Sequence, residues 1–163
     1  MTNKAYLAFG TNLGDKERNI SEAYHRVGER IGEITDCSSL YYSKPWGFAS
    51  DNDFVNSVAC VKTALTPRQL LAATQQIERE MGRSTKSTGG EYHDRIIDID
   101  IVLYEECTED GFRSLHIDEP DLKIPHPLMQ ERDFVMMPLN EVLNADAESS
   151  NIVLCADKTR KIY

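Results

Sequence analysis

The most apolar stretch of the chain, Arg95-Ile96-Ile97-Asp98-Ile99-Asp100-Ile101-Val102-Leu103, carries two aspartates at alternate positions. Such a run folds as a strand, with Ile97, Ile99, Ile101 and Leu103 on one face and Asp98 and Asp100 on the other. The two carboxylates then project side by side, ~6.5–7 Å apart by strand rise. The isoleucines require burial, and two unpaired like charges beside them are expensive to bury. A divalent cation relieves that cost. Two hard oxygen ligands suit Mg²⁺, which completes its octahedron with waters and substrate phosphates. For an isolated Asp-x-Asp the alternative is a half-exposed edge strand whose acidic residues face water.

The formal net charge of −9 disfavours a nucleic-acid partner, because an acidic surface repels a phosphate backbone. A polyphosphate ligand remains compatible, since a few arginines around a metal reverse the local field. With 163 residues, 40% of them hydrophobic, one globular domain spanning 1–163 is expected. Cys37, Cys60, Cys107 and Cys155 are widely spaced, without a Cys-x-x-Cys, which favours reduced thiols over a zinc or disulfide framework. With no apolar leader and no stretch of membrane-spanning length, the expectation is a cytoplasmic protein without a membrane partner.

Ala5–Phe9 reads as a first buried strand, and Gly10-Thr11-Asn12-Leu13-Gly14-Asp15 as the turn after it. Ile20, Ala23, Tyr24, Val27 and Ile31 recur at helical spacing, with Gly32 as the stop. A second strand is expected near Glu33–Tyr42, then a long loop from Ser43 to Asn52, then a third strand over Phe54–Thr63. Thr66-Pro67 starts a second helix, since a cap residue precedes proline at the first helical position. Leu70, Leu71, Thr74, Ile77, Glu78 and Met81 carry that helix to Gly82. Residues 83–94 are polar and contain two adjacent glycines, so they read as a mobile loop before the aspartate strand. A short hairpin is expected around Thr108–Ile117. Pro120, Pro125, Pro127 and Pro138 divide the remainder into short elements, and the tail 144–163 has no legible pattern. The order is βαββαβ, an α+β, ferredoxin-like core with its sheet backed by two helices on one face, plus C-terminal additions. That fold hosts many functions and names none.

Residues 82–88 look superficially like a phosphate-binding loop, but no glycine precedes Lys86 and the segment follows a helix rather than a strand. Phosphates would instead be held by metal and by cations. Arg83, Lys86, Arg95, His126 and Arg132 flank the aspartates, and guanidinium groups grip phosphate with two parallel hydrogen bonds. Solvated surface charge is the ordinary fate of such residues. Phe54 and Asn56 share a strand face, and an aromatic beside an amide suits a flat heterocycle, with Trp46 and Phe134 as further aromatics. Plain core packing is the bland alternative. No histidine pairs with a serine or cysteine in a nucleophile motif.

Several of these segments resemble motifs of the 6-hydroxymethyl-7,8-dihydropterin pyrophosphokinase family, in order over about residues 5–143. They are Gly10-Thr11-Asn12-Leu13-Gly14, Ser43-x-Pro45-Trp46-Gly47, Phe54-Val55-Asn56, Gln75-x-x-Glu78-x-x-x-Gly82-Arg83 and Arg95-x-x-Asp98-x-Asp100. Pro125-His126-Pro127 and Arg132-Asp133-Phe134 complete the series. The resemblance implies transfer of pyrophosphate from ATP to a pterin alcohol, with AMP released, for folate synthesis. It implies that Asp98 and Asp100 bind two Mg²⁺ ions and act with Arg83 and Arg95 in catalysis. ATP would meet Gln75, Glu78, Arg83, Lys86, Arg95, Ile101, Lys123, His126 and Arg132. The pterin would meet Ser43, Lys44, Trp46, Phe54, Asn56, Tyr92 and Phe134. The chain departs from the family at Glu91-Tyr92-His93-Asp94-Arg95, where Arg-Trp-Gly-Pro-Arg is usual, and Tyr92 is expected to replace the tryptophan as a lid. Two other readings compete: a non-catalytic ferredoxin-like ligand-binding module, and another Mg²⁺-dependent nucleotide enzyme with a different acceptor.

Overall fold

The computed structural model describes residues 2–44, 53–82, 96–148 and 159–161, with 145–148 and 159–161 described by their backbone alone. In chain order the elements are β1 (Asn3–Thr11), α1 (Lys16–Arg30), β2 (Gly32–Cys37), β3 (Leu40–Ser43) and β4 (Phe54–Thr63). They continue with α2 (Pro67–Glu80), β5 (Asp98–Thr108), β6 (Gly111–Ser114), β7 (Ile117–Glu119), β8 (Leu122–Ile124), α3 (Asp133–Glu148) and β9 (Thr159–Lys161). One sheet runs β6-β5-β1-β4-β3-β9, with β2 also paired to β4. β1 lies in its middle, antiparallel to both β4 and β5. β7 and β8 form a separate hairpin.

Both main helices start on the residues their sequences offer. Asp15 caps α1 by accepting the Arg18 N–H, and Thr66 and Gln69 form a reciprocal capping box on α2 with Pro67 in the first turn. Ile20, Ala23 and Val27 of α1 and Leu70 and Ile77 of α2 pack on one sheet face, against Ala5, Leu7, Phe9, Val55, Ala59, Val61, Ile97, Ile99 and Ile101. The Phe9 and Tyr24 rings meet edge to face at 4.8 Å, and the Tyr24 hydroxyl hydrogen-bonds Ser57 at 2.6 Å. This is the ferredoxin-like α+β arrangement.

The details depart from the sequence reading at several points. The strand expected over Glu33–Tyr42 is two strands, β2 and β3, parted at buried Ser38 and Ser39. There the Ser38 N–H bonds the Val58 carbonyl, while the Ser38 hydroxyl accepts the Val58 N–H at 2.9 Å. Helix α1 ends at Arg30 with Ile31 as its cap, just before Gly32, which itself opens β2. A Cβ at Gly32 would lie 1.8 Å from the Lys62 carbonyl oxygen, so close backbone approach is what requires glycine. Gly10 and Thr11 belong to β1 and not to the turn after it. In β5 the pairing passes from Leu7↔Ile101 to Tyr6↔Leu103, leaving Val102 as a bulge. Leu103 therefore turns to the opposite face from Ile97, Ile99 and Ile101, beside Val102.

Pro138 does not break the chain into short pieces, since α3 runs through it. A proline inside a helix costs roughly 3 kcal/mol. Val135, Leu139 and Val142, at helical spacing, bury themselves on Tyr6, Val58, Cys60 and Val102, each contributing about 1.5–3 kcal/mol. Burial outweighs the proline. Helix α3 thus lies on the second face of the sheet, where no helix was expected. The unread tail contributes β9, which pairs in parallel with β3. Cys37, expected as a reduced thiol, is disulfide-bonded, whereas Cys60 and Cys107 remain thiols. Widely spaced cysteines carry no local signal of such pairing. Among the described residues no helix is long and apolar enough to cross a membrane.

Candidate active site

Helix α3 covers only part of its sheet face. Beside its first turn the described residues of that face include the small and polar Ala8, Gly10, Asn56, Asp98 and Asp100. Cross-strand register sets Asn56 of β4, Gly10 of β1 and Asp98 of β5 in one row, and Val58, Ala8 and Asp100 in the row two residues along. Alternation makes all six point to the α3 side. Asn56 and Asp98 stand two strand spacings apart, about 9.5–10 Å between backbones.

A cavity forms on this floor. Its walls are Ser43 and Lys44 from the end of β3, Phe54 and Asn56 from β4, Asp98 and Asp100 from β5, and Arg132, Phe134 and Val135 from the entry into α3. Asp98 and Asp100 are half-buried, whereas Phe54, Asn56 and Ser43 are buried. The Ser43 hydroxyl is buried, lines the cavity and has no hydrogen-bond partner among the described residues. A buried hydroxyl in that position calls for a polar ligand. The Arg132 guanidinium lies 5.7 Å from the centre of the Phe134 ring. Burial lowers its pKa to about 10, which leaves it charged at neutral pH.

A second group of residues follows the edge of β5 that faces away from β1. The Glu78 carboxylate, from α2, accepts the Ile99 N–H at 3.0 Å. The His126 N–H bonds the Val102 carbonyl at 3.0 Å, and buried Ile101 lies between these two points. His126 Nδ1 accepts the Leu128 N–H at 3.3 Å, which leaves Nε2 to carry the proton of the neutral ring, 4.0 Å from Asp100 Oδ2. Burial lowers the His126 pKa, partly opposed by Asp98, so the ring is neutral at pH 7.

The structure therefore gathers Ser43, Lys44, Phe54, Asn56, Asp98, Asp100, Arg132 and Phe134 around one cavity, with His126 beside Asp100. Glu78 and Ile101 border the neighbouring β5 edge, and Gln75 sits half-buried on α2. Lys123 is exposed on β8, its ammonium bonded to Asp118 at 2.8 Å. Trp46, Arg83, Lys86, Tyr92 and Arg95 lie outside the described residues. Sequence reasoning gave no site role to the floor, Ala8 and Gly10, although Gly10 opens one of the family motifs. Their signal was two small residues at i and i+2 of a strand whose other members on that face, Lys4 and Tyr6, are large.

Two adjacent carboxylates on an open, half-buried face fit a hard divalent cation. Among the described residues no group of three His, Cys or acidic side chains forms a ready-made metal site. Water and phosphate oxygens would have to supply the other ligands, as Mg²⁺ favours.

The family model of 7,8-dihydro-6-hydroxymethylpterin-pyrophosphokinase matches residues 6–144. A Porphyromonas gingivalis protein named 2-amino-4-hydroxy-6-hydroxymethyldihydropteridine pyrophosphokinase is 42% identical over 150 residues, covering 90% of this chain and 97% of its own. A Bacillus subtilis protein of the same name is 37% identical, covering 87% of this chain and 79% of its own. A solved HPPK-DHPS chain, crystallised in complex with substrates, superposes with a TM-score of 0.62 at 16% identity. It covers 87% of this chain, which spans only 40% of that longer one, and the likeness bears on the fold. From the length of the match and the identity to relatives of similar size, the chain belongs to the 7,8-dihydro-6-hydroxymethylpterin-pyrophosphokinase family.

Proposed function

We propose that this protein catalyses the reaction for which its family and relatives are named, the Mg²⁺-dependent transfer of pyrophosphate from ATP to 6-hydroxymethyl-7,8-dihydropterin in folate biosynthesis. The observation that carries this reading is the row Asn56–Gly10–Asp98. It sets an amide fit to read a heterocycle edge about 9.5–10 Å from a carboxylate fit to hold a metal. One flat substrate lying across β1 reaches both.

In this reading Asn56 hydrogen-bonds the pterin edge, Ser43 satisfies its buried hydroxyl on the same ligand, and Phe54 and Phe134 bracket the ring. Lys44 and Trp46 border the pterin, with Tyr92 as its lid. Asp98 and Asp100 would hold two Mg²⁺ ions, which would neutralise the ATP phosphates and lower the pKa of the attacking hydroxyl. Arg132, together with Arg83, Lys86 and Arg95, supplies positive charge to the transferred group, and His126 donates its Nε2–H on the same side. Gln75, Glu78, Ile101 and Lys123 border the nucleotide along the β5 edge. The pterin hydroxymethyl oxygen forms a bond to the β-phosphorus, the bond from that phosphorus to the α,β-bridging oxygen breaks, and AMP leaves with the electron pair. Among the described residues no side chain at the cavity is placed as a dedicated general base, and the hydroxyl proton passes to solvent or phosphate. Positioning and charge neutralisation carry the rate. The partners are small molecules, and the reaction belongs in the cytoplasm, where ATP is supplied.

The test is to mix protein, ATP, Mg²⁺ and the pterin alcohol and identify the nucleotide product. AMP is expected. ADP would mean single phosphoryl transfer to another acceptor class, and pterin binding without any product would mean a binding module.

A further inference from the structure

Gly10 sits at the centre of the floor, yet its backbone does not need glycine. It lies within a strand, and among the described residues the glycines with left-handed φ are Gly14, Gly82 and Gly111. What requires glycine is space. A Cβ at Gly10 would stand 2.8 Å from Asn56 Oδ1 and 3.9 Å from Asn56 Cγ, and among the described residues beyond its chain neighbours no other atom comes inside 4 Å. The carboxamide of Asn56 therefore leans across β1 and rests over the bare Gly10 Cα, in the direction of Asp98. Asn56 is only 7% exposed, so a displaced amide has little room to find an equivalent position.

We propose that Gly10 is a positioning residue for pterin recognition: its missing side chain sets the orientation in which Asn56 presents its amide to the ligand. This rests on the pyrophosphokinase reading of the cavity. Among the described residues the collision is with the end of a side chain alone, so a methyl group at Gly10 moves the amide and leaves the sheet in place. Its cost falls on binding more than on folding. Any change at Gly10 then acts through Asn56, and the two residues form one recognition unit although they are 46 positions apart.

The experiment measures four proteins: wild type, Gly10→Ala, Asn56→Ala and the double variant. Titration calorimetry reads pterin affinity with Mg²⁺ and a non-hydrolysable ATP analogue present, and separately the affinity for the analogue alone. Gly10→Ala is expected to weaken pterin binding by about 10- to 100-fold, the effect of a mispaired buried polar group, while analogue affinity stays within about twofold. In the Asn56→Ala background the same change should cost little more, because the group it displaces is already gone. Should Gly10→Ala also lower the melting temperature, Asn56→Ala should restore it, reporting the same collision through stability. Wild-type pterin affinity in Gly10→Ala overturns the proposal, as does an equal further loss in the Asn56→Ala background. A wild-type protein that binds no pterin overturns the reading of the cavity instead.

Discussion

The Glu78 carboxylate accepts the N–H of Ile99 at 3.0 Å, at the residue between the two cavity aspartates. Among the described residues the far edge of β5 has no neighbouring strand at that point, since β6 pairs only with residues 105–108. A helix side chain substitutes for the missing strand. Glu78 is 2% exposed, so its bond to β5 is shielded from water.

Glu78→Ala leaves the Ile99 N–H without this acceptor in a buried place, with an expected loss of about 1–3 kcal/mol of stability. Glu78→Gln keeps a carbonyl oxygen for the same bond and should recover most of it. Turnover should follow the same order, because the strand carrying Asp98 and Asp100 loosens in the alanine variant. Urea unfolding and AMP release measure the two quantities. Equal stability in both variants would show that this bond does not hold β5.

Asp98→Asn and Asp100→Asn remove one charge each from a half-buried pair. Turnover should fall by about 10²–10³, as on loss of a preorganised charge-stabilising group. The fold should persist, with a melting temperature in the absence of metal no lower than wild type, because like-charge repulsion is relieved. Near-normal turnover in both variants would rule out the aspartates as metal ligands.

Phe134→Ala takes one aromatic wall from the cavity and leaves the β5 edge untouched. Pterin affinity should drop by about 1–2 kcal/mol while affinity for an ATP analogue is unchanged. Calorimetry with each ligand separates these effects. A parallel loss for both would point instead to a disturbed α3, whose Val135, Leu139 and Val142 follow immediately.

Glu80 ties α2 to α1 through Arg30 and, at 2.9 Å, Arg26. Its pKa is lowered to about 2, first by the hydrogen bond from Arg30 and then by that from Gln76. A carboxyl whose folded pKa is depressed adds stability above its unfolded pKa, near 4.3, and loses it as pH falls toward the folded value. The melting-temperature gap between wild type and Glu80→Gln should therefore be full above about pH 5 and close towards about pH 2. High salt should narrow it throughout, since the pair lies at the surface. A gap that widens with acid would contradict the assignment.

Much was legible in the sequence because it is local. The Thr66-Pro67 start caps its helix by contacts within a few residues. Alternation along Ile97–Ile101 states which way Asp98 and Asp100 face. The motifs from Gly10 to Phe134 stand in family order before any packing is known. What tertiary structure decided lies in contacts between residues far apart in the chain. The bulge at Val102, which turns Leu103 over, exists only in the register of β5 against β1. Helix α3 survives Pro138 because a sheet face waits for Val135, Leu139 and Val142, and their helical spacing does not say which sheet face receives them. β9 and the Cys37 disulfide likewise depend on where the chain returns. The row Asn56–Gly10–Asp98 joins residues from three strands, and the reason Gly10 must be glycine is an oxygen atom 46 positions away. Local sequence sets what each segment prefers to be, and long-range register and burial decide which side chains meet.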